Sequence, residues 1–167
     1  VIDPRLLHFS LWGIIVPVDT PDGGNVGLHK YISLGAHITS GYSSKTIINF
    51  LRNNIFIEFL SESRTEYIAA ATKIFVNGSW IGIITTPVES LDMLIKSRRL
   101  GLIPVYTSIS WNIKENIISI YTDSGRLCRP VFFVENMKIS YEINNLTEKL
   151  LTEDFQFNEL LIGFNKF

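Results

Sequence analysis

The chain has 167 residues, 46% of them hydrophobic and only 19% charged, with 15 basic residues against 16 acidic and a formal charge of −1. That balance carries no gross electrostatic signal for nucleic acid, and the apolar content excludes intrinsic disorder. The mean hydropathy, +0.22, is high, yet apolar runs such as Ile14–Val16, Ile81–Ile84 and Val131–Val134 fall far short of the roughly 20 residues a bilayer crossing needs.

No membrane partner is therefore expected, and the excess apolar surface belongs in a core or against other bodies. The opening, where Asp3, Pro4 and Arg5 interrupt any apolar run, carries no secretory leader and reads as the interior of something longer. Residues 1 to 40 are dense in turn formers: Pro4, Trp12-Gly13, Pro17, then Asp19-Thr20-Pro21-Asp22-Gly23-Gly24-Asn25. Proline fixes φ and glycine admits positive φ, so this run predicts tight turns. Ser43-Ser44 offer N-caps for a helix with Ile47, Ile48, Leu51 and Ile55 at helical spacing. Alternation at Ile55, Ile57 and Phe59 then predicts a strand, and polar residues 61–66 a loop.

From residue 72 the texture changes. Asn77-Gly78 stands between two apolar runs, the strongest short hairpin signal. Thr86-Pro87-Val88-Glu89 reads as a capping box with proline at the first helical position, opening a helix with Val88, Leu91, Leu94 and Ile95 on its apolar face. Lys96, Arg98 and Arg99 suit its negative end, and Gly101 its C-terminal cap. Strands are predicted around Val105–Trp111, Ile117–Thr122 and, after Asp123-Ser-Gly125, Cys128–Val134. Beyond residue 135, Phe155, Phe157, Leu160, Leu161 and Phe164 are too apolar for a free tail. The reading is an α+β fold of two small mixed domains: a turn-rich segment with a helix over 1–71, and a compact hairpin-helix-strands unit over 72–135. Residues 136–167 would be the truncated start of a third.

Chemistry-bearing motifs are scarce. The single cysteine, Cys128, excludes an internal disulfide or thiolate cluster and fits a reducing compartment. His8, His29 and His37 lack close metal-ligand spacing, and neither a Gly-x-Ser-x-Gly elbow nor a Walker loop occurs. Asp22-Gly23-Gly24-Asn25 reads as a tight turn, or as an anion cradle of backbone N–H groups. Asp19 and Asp22 serve as turn acceptors as easily as metal carboxylates. Lys96, Arg98 and Arg99 read as a solvated helix end, and Trp12, Trp80 and Trp111 as core or interface residues.

As a string, the turn-rich segment says more. Arg5-Leu-Leu-His8 with Trp12-Gly13, then Pro17-Val-Asp19-Thr20-Pro21-Asp22-Gly23, then Gly27-Leu28-His-Lys30, closely resembles the fork region of the second-largest (β-type) subunit of multisubunit DNA-directed RNA polymerases, in its eukaryotic or large-DNA-virus form. That family's pattern is R-x-L-H, W-G, P-x-E-T-P-E-G and G-L-x-K. Phe75-Val-Asn-Gly78 with Trp80 and Gly82, the Arg98-Arg99 helix end, and Tyr121-Thr-Asp-Ser-Gly-Arg126 with Arg129-Pro130 resemble the family's second external domain. Phe157–Gly163 resembles the opening of the segment that follows.

The resemblance implies a part of a nucleotidyltransferase, inactive alone, with an architectural external domain and a fork that positions nucleic acid and nucleotide near the active centre. It implies Arg5, His8, Asp19, Asp22, Asn25 and Lys30 as positioning residues, with Asp at 19 and 22 where the family has the longer Glu. No catalytic residue, metal ligand or cofactor is expected in this chain; Mg2+ would sit at the active centre of the whole enzyme, on residues outside this segment. The implied partners are the largest subunit, the other polymerase subunits, DNA template and RNA transcript. The implied location is nucleus or cytoplasm (viral factory or virion for a viral enzyme), not the secretory route. A rival reading is a non-enzymatic, split or degenerate subunit that docks transcription factors. On either reading, the first segment should be the less stable half of the chain in isolation.

Overall fold

The computed structural model describes residues 2–55, 57–135, 137–139 and 151–152. In chain order the regular elements are β1 (His37–Ile38), α1 (Ser44–Asn54), β2 (Glu58–Phe59), α2 (Thr65–Ile68), β3 (Thr72–Val76), β4 (Ser79–Ile84), α3 (Pro87–Arg99), β5 (Ser108–Asn112), β6 (Ile117–Tyr121), β7 (Leu127–Cys128), β8 (Val134–Glu135) and β9 (Lys138–Ile139). Short 3-10 turns occupy Asp3–Arg5, Phe9–Leu11 and Gly23–Asn25. This is the α+β fold expected.

Contacts divide the chain into two compact units. The described residues of one fall within Val1–Thr39 and Arg126–Ile162, and those of the other within Ser40–Gly125. The textural changes near residues 71 and 135 follow composition; these borders follow packing. The further domain expected to start over 136–167 lies mostly outside the described residues.

The central unit, Ser40–Gly125, is built on a five-stranded sheet of order β2-β4-β3-β6-β5, in which β3 and β6 run parallel and the other neighbours antiparallel. The β3–β4 hairpin turns on Asn77 (φ +49°) and Gly78 (φ +80°). Two consecutive positive φ values match the right-handed twist of the strands, which is why Asn-Gly suits this bend. Ser43 caps α1, its hydroxyl accepting from Lys45 N–H at 3.4 Å. Ile47 and Leu51 of α1, Leu94 of α3, Ile74, Val76, Ile84, Ile118 and Ile120 of the sheet, and Ile55 and Ile103 form one buried cluster. Fully burying each such side chain is worth about 1.5–3 kcal/mol.

Polar pins hold the sheet ends. Asn77 Nδ2 donates to Thr122 Oγ1 at 2.8 Å, and Thr122 N–H donates to Asn77 Oδ1 at 2.8 Å. Thr72 Oγ1 lies 2.6 Å from Asn116 Oδ1, to which it donates.

Four local expectations need correcting. Thr86 precedes α3 as expected, with Pro87 in its first turn, but the Thr86 side chain makes no capping hydrogen bond; its backbone (φ −115°, ψ 74°) departs from the extended geometry that aims a cap at the helix. Residues 61–66 are not wholly loop, because α2 begins at Thr65. Val105–Thr107 is not strand: both the amide and the hydroxyl of Thr107 donate to Pro104 O, at 3.0 and 2.6 Å, closing a turn before β5 starts at Ser108. The single strand expected over Cys128–Val134 is two, β7 and β8, separated by a stretch holding Pro130, which has no N–H to give a ladder. At the other end of α3 the expectation holds. Gly101 (φ +72°) follows the helix, with Gly101 N–H on Arg98 O and Leu102 N–H on Ser97 O, the paired bonds of a Schellman motif.

The flanking unit has far less regular structure. Residues 14–16 and 31–33 form a short antiparallel ribbon through Val16 N–H to Tyr31 O (2.9 Å), Ser33 N–H to Ile14 O (2.8 Å) and an Ile15–Ile32 bridge. β1 pairs with β7, and Thr39 and Arg126 extend the pairing: Thr39 N–H donates to Arg126 O, and Arg126 N–H to Thr39 Oγ1. The Arg129 guanidinium lies over Gly13, where any Cβ would overlap it. Ala36 and Thr39 are the buried side chains among this unit's described residues, while Phe9 is 93% exposed, Trp12 72% and Val18 84%.

Candidate functional site

The residues singled out for positioning lie on the flanking unit, around the turn from Asp19 to Lys30. Pro17 and Pro21 flank the entry of the bend. The Asp22-Gly23-Gly24-Asn25 run resolves into a single 3-10 turn, with Val26 N–H on Gly23 O at 3.2 Å and Leu28 N–H on Asn25 O at 3.0 Å. The tight-turn reading accounts for that geometry. Gly23 takes φ +84°, and a Cβ on Gly23 or Gly24 would meet nothing within 4 Å.

Two side chains strap this turn to the segment that opens with Arg5, and a third bridges the turn itself. Half-buried Arg5 donates from Nη1 to Val26 O at 2.7 Å, and Lys30 donates from Nζ to Leu6 O at 3.3 Å. Thr20 Oγ1 accepts from Gly27 N–H at 2.7 Å and donates to His29 O at 3.1 Å. Gly27 is required where it stands: its φ is +73°, and a Cβ would sit 2.5 Å from Arg5 O. The approach of Arg5 and Gly27 therefore brings two of the sequence motifs into one structure.

The remaining singled-out residues face outward. Asp19, Asp22 and Asn25 are exposed, and no hydrogen bond or ion pair holds their side chains among the described residues. His8 is exposed and caps the Phe9–Leu11 turn, with Ser10 N–H donating to its Nδ1 at 3.3 Å. Two carboxylates and a carboxamide thus line one short turn braced from behind by two cations. Reading the sequence missed Thr20 as the bridge across the turn and Arg129 as the cover of Gly13. The Pro-flanked threonine with a glycine seven residues on was the available signal for the first.

Cations elsewhere are committed differently. Arg98 is not the solvated helix end expected; it donates from Nη1 to Thr107 O at 2.9 Å, and burial, with Arg99 beside it, holds its pKa below the ordinary value. Lys96 pairs with Asp92 at 2.7 Å. Trp80 stacks on Phe75 and donates Nε1–H to Gly82 O at 2.9 Å, with Lys73 Nζ 5.3 Å from its ring. Trp111 packs against the core, its buried Nε1–H without a partner among the described residues, whereas Trp12 is exposed. Burial pushes the Cys128 thiol up, nearby Arg126 opposing. Among the described residues, no three His, Cys, Asp or Glu side chains converge as a metal site, and no helix is long and apolar enough to cross a membrane.

The flanking unit is turn-rich and exposes apolar side chains, whereas the sheet unit has its own core. Two family models match in chain order: "RNA polymerase Rpb2, domain 3" over residues 1–38 and "RNA polymerase Rpb2, domain 4" over residues 74–135. The chain is 38% identical over 98% of its length to the DNA-directed RNA polymerase II subunit RPB2 of Encephalitozoon cuniculi, covering 14% of that protein. It is 38% identical over 80% of its length to the RPB2 subunit of Schizosaccharomyces pombe, and 39% over 81% to the DNA-directed RNA polymerase II subunit 2 of Arabidopsis thaliana, in each case covering 11% of the relative. The chain belongs to the Rpb2 family, the second-largest subunit of DNA-directed RNA polymerases. It spans about a seventh or less of the length of the curated relatives it matches.

Proposed function

We propose that this chain works as part of a DNA-directed RNA polymerase that synthesises RNA on a DNA template from ribonucleoside triphosphates. Its share is positioning: the Asp19–Lys30 turn orders nucleic acid and nucleotide beside the active centre, and the central unit is architectural. The observation that carries this reading is the braced turn with Asp19, Asp22 and Asn25 outward, which the family pattern P-x-E-T-P-E-G matches. Arg5 and Lys30 each give a donor to a backbone carbonyl. On this reading each cation also meets phosphate, where one contact positions the strand without specifying sequence. Asp22 and Asn25 offer an acceptor and an amide to a neighbouring loop or a sugar, and His8 lies on the same segment as Arg5.

The donor set for a catalytic cation is not met by the described residues, so no step is routed through one here; Mg2+ would be held by other parts of the enzyme. Partners on this reading are the largest subunit and the remaining polymerase subunits, DNA and RNA, in the nucleus for a cellular enzyme and in a cytoplasmic factory or virion for a viral one. The test is elongation by reconstituted polymerase carrying Asp22→Ala or Arg5→Ala in the full-length subunit. Slower elongation with assembly intact is expected. Unchanged elongation would replace this reading with that of a non-enzymatic docking module for transcription factors.

A further inference from the structure

We propose that Thr20 is the positioning residue of the turn: its hydroxyl, bonded to both Gly27 N–H and His29 O, fixes where Asp19, Asp22 and Asn25 stand. This rests on the positioning role proposed above. The other restraints on the turn come from outside it, through Arg5 to Val26 O and Lys30 to Leu6 O. Both come from long side chains with many rotamers. Above the Val16–Tyr31 ribbon at the base of the turn, Thr20 is the side chain among the described residues that joins its two limbs, using one oxygen as acceptor and donor at 2.7 and 3.1 Å. Its short, β-branched side chain loses little rotamer freedom in doing so. The bridge closes at Gly27, where an added Cβ would lie 2.5 Å from Arg5 O. Displacing that limb therefore also displaces the acceptor of the Arg5 bond, Val26 O. Thr20 and Asp19 are adjacent, and Asp22 follows two residues on, so rotation of Thr20 about its backbone moves both carboxylates.

The consequence is a population effect. Without the bridge the turn samples other conformations, and the apparent affinity for whatever the turn positions falls by the fraction of time it spends in the competent one. The measurement is the nucleotide dependence of elongation by reconstituted polymerase carrying Thr20→Val or Thr20→Ser in the full-length subunit. Thr20→Val keeps the shape and removes both hydrogen bonds. Its apparent KM for the incoming nucleotide should rise about tenfold with kcat within about twofold, as for loss of one buried hydrogen-bonded bridge. Thr20→Ser keeps the hydroxyl and should return KM to near that of the parent.

Unchanged KM in an assembled Thr20→Val enzyme overturns the proposal, and so does damage by Thr20→Ser equal to that by Thr20→Val, which would show that keeping the hydroxyl does not keep the function. Amide exchange in the unaltered enzyme gives a second reading that needs no variant. The Gly27 amide should exchange far more slowly than that of Gly24, and equal rates would overturn the bridge itself. If Asp22→Ala alters the nucleotide dependence of elongation while Thr20→Val does not, the role of Thr20 fails alone. If neither does, the positioning function of the whole turn fails, and a slow Gly27 amide would still support the bridge.

Discussion

Ser40–Gly125 and the segments flanking it in the chain keep their shape by different means. The central unit gathers ten apolar side chains into one buried cluster and closes its sheet ends with Asn77–Thr122 and Thr72–Asn116. The flanking unit buries Ala36 and Thr39 among its described residues, holds its turns with side chain to backbone bonds, and leaves Phe9, Trp12, Val18 and Leu34 bare. Burial of apolar area is the main favourable term in folding, and hydrogen bonds contribute about 1 kcal/mol each net. The lesson is that this chain joins a segment stable by its own core to one whose apolar side chains lack cover from the described residues.

That contrast can be broken most sharply by core truncation. Leu51→Ala should lower the unfolding free energy of the central unit by about 2–5 kcal/mol in denaturant titrations, whereas Phe9→Ser should change it by no more than about 0.5 kcal/mol. Comparable costs would erase the distinction. Native-state hydrogen exchange makes the same comparison without mutation: β3 and β6 amides should be the slowest, and those of the Ile14–Val16 and Tyr31–Ser33 ribbon much faster. Asn77→Ala leaves the Thr122 amide buried without its acceptor, and should cost about 1–3 kcal/mol by the same titration. Gly101→Ala places a Cβ in the left-handed region after α3 and should cost about 1–2 kcal/mol.

The smallest effect concerns pH. Burial raises the Cys128 thiol above its unfolded value, so its contribution to folding is intact below about pH 8.5 and is lost as pH rises through the folded value. Alkylation of Cys128 at pH 8.5 should be slower in the folded chain than in urea. Equal rates would remove the shift.

The central unit was largely legible from residues alone, because its signals are local. Asn77-Gly78 dictates its turn, Gly101 its Schellman motif, and Ile47, Leu51 and Leu94 their buried faces. Errors arose where one side-chain hydrogen bond decides. Thr107 looks like strand until its amide and hydroxyl are seen to close on Pro104, and Arg98 looks solvated until Thr107 O is placed beside it. In the candidate site the residue types were legible as a motif, but composition cannot reveal which limb of the turn Thr20 bridges. Nor does any periodic pattern announce that Arg129 covers Gly13, since that contact spans more than a hundred residues of chain.

The pairing of β1 with β7 has a further consequence. The chain leaves this ladder at Thr39 and returns to it at Arg126, and just beyond, Tyr42 N–H meets Thr122 O at 3.1 Å. Everything between is a cassette with adjoining ends, so a few glycines could replace it without parting the strands on which it hangs. Evolution or an engineer could enlarge, shrink or exchange that cassette while the turn at Asp19 stayed where it is.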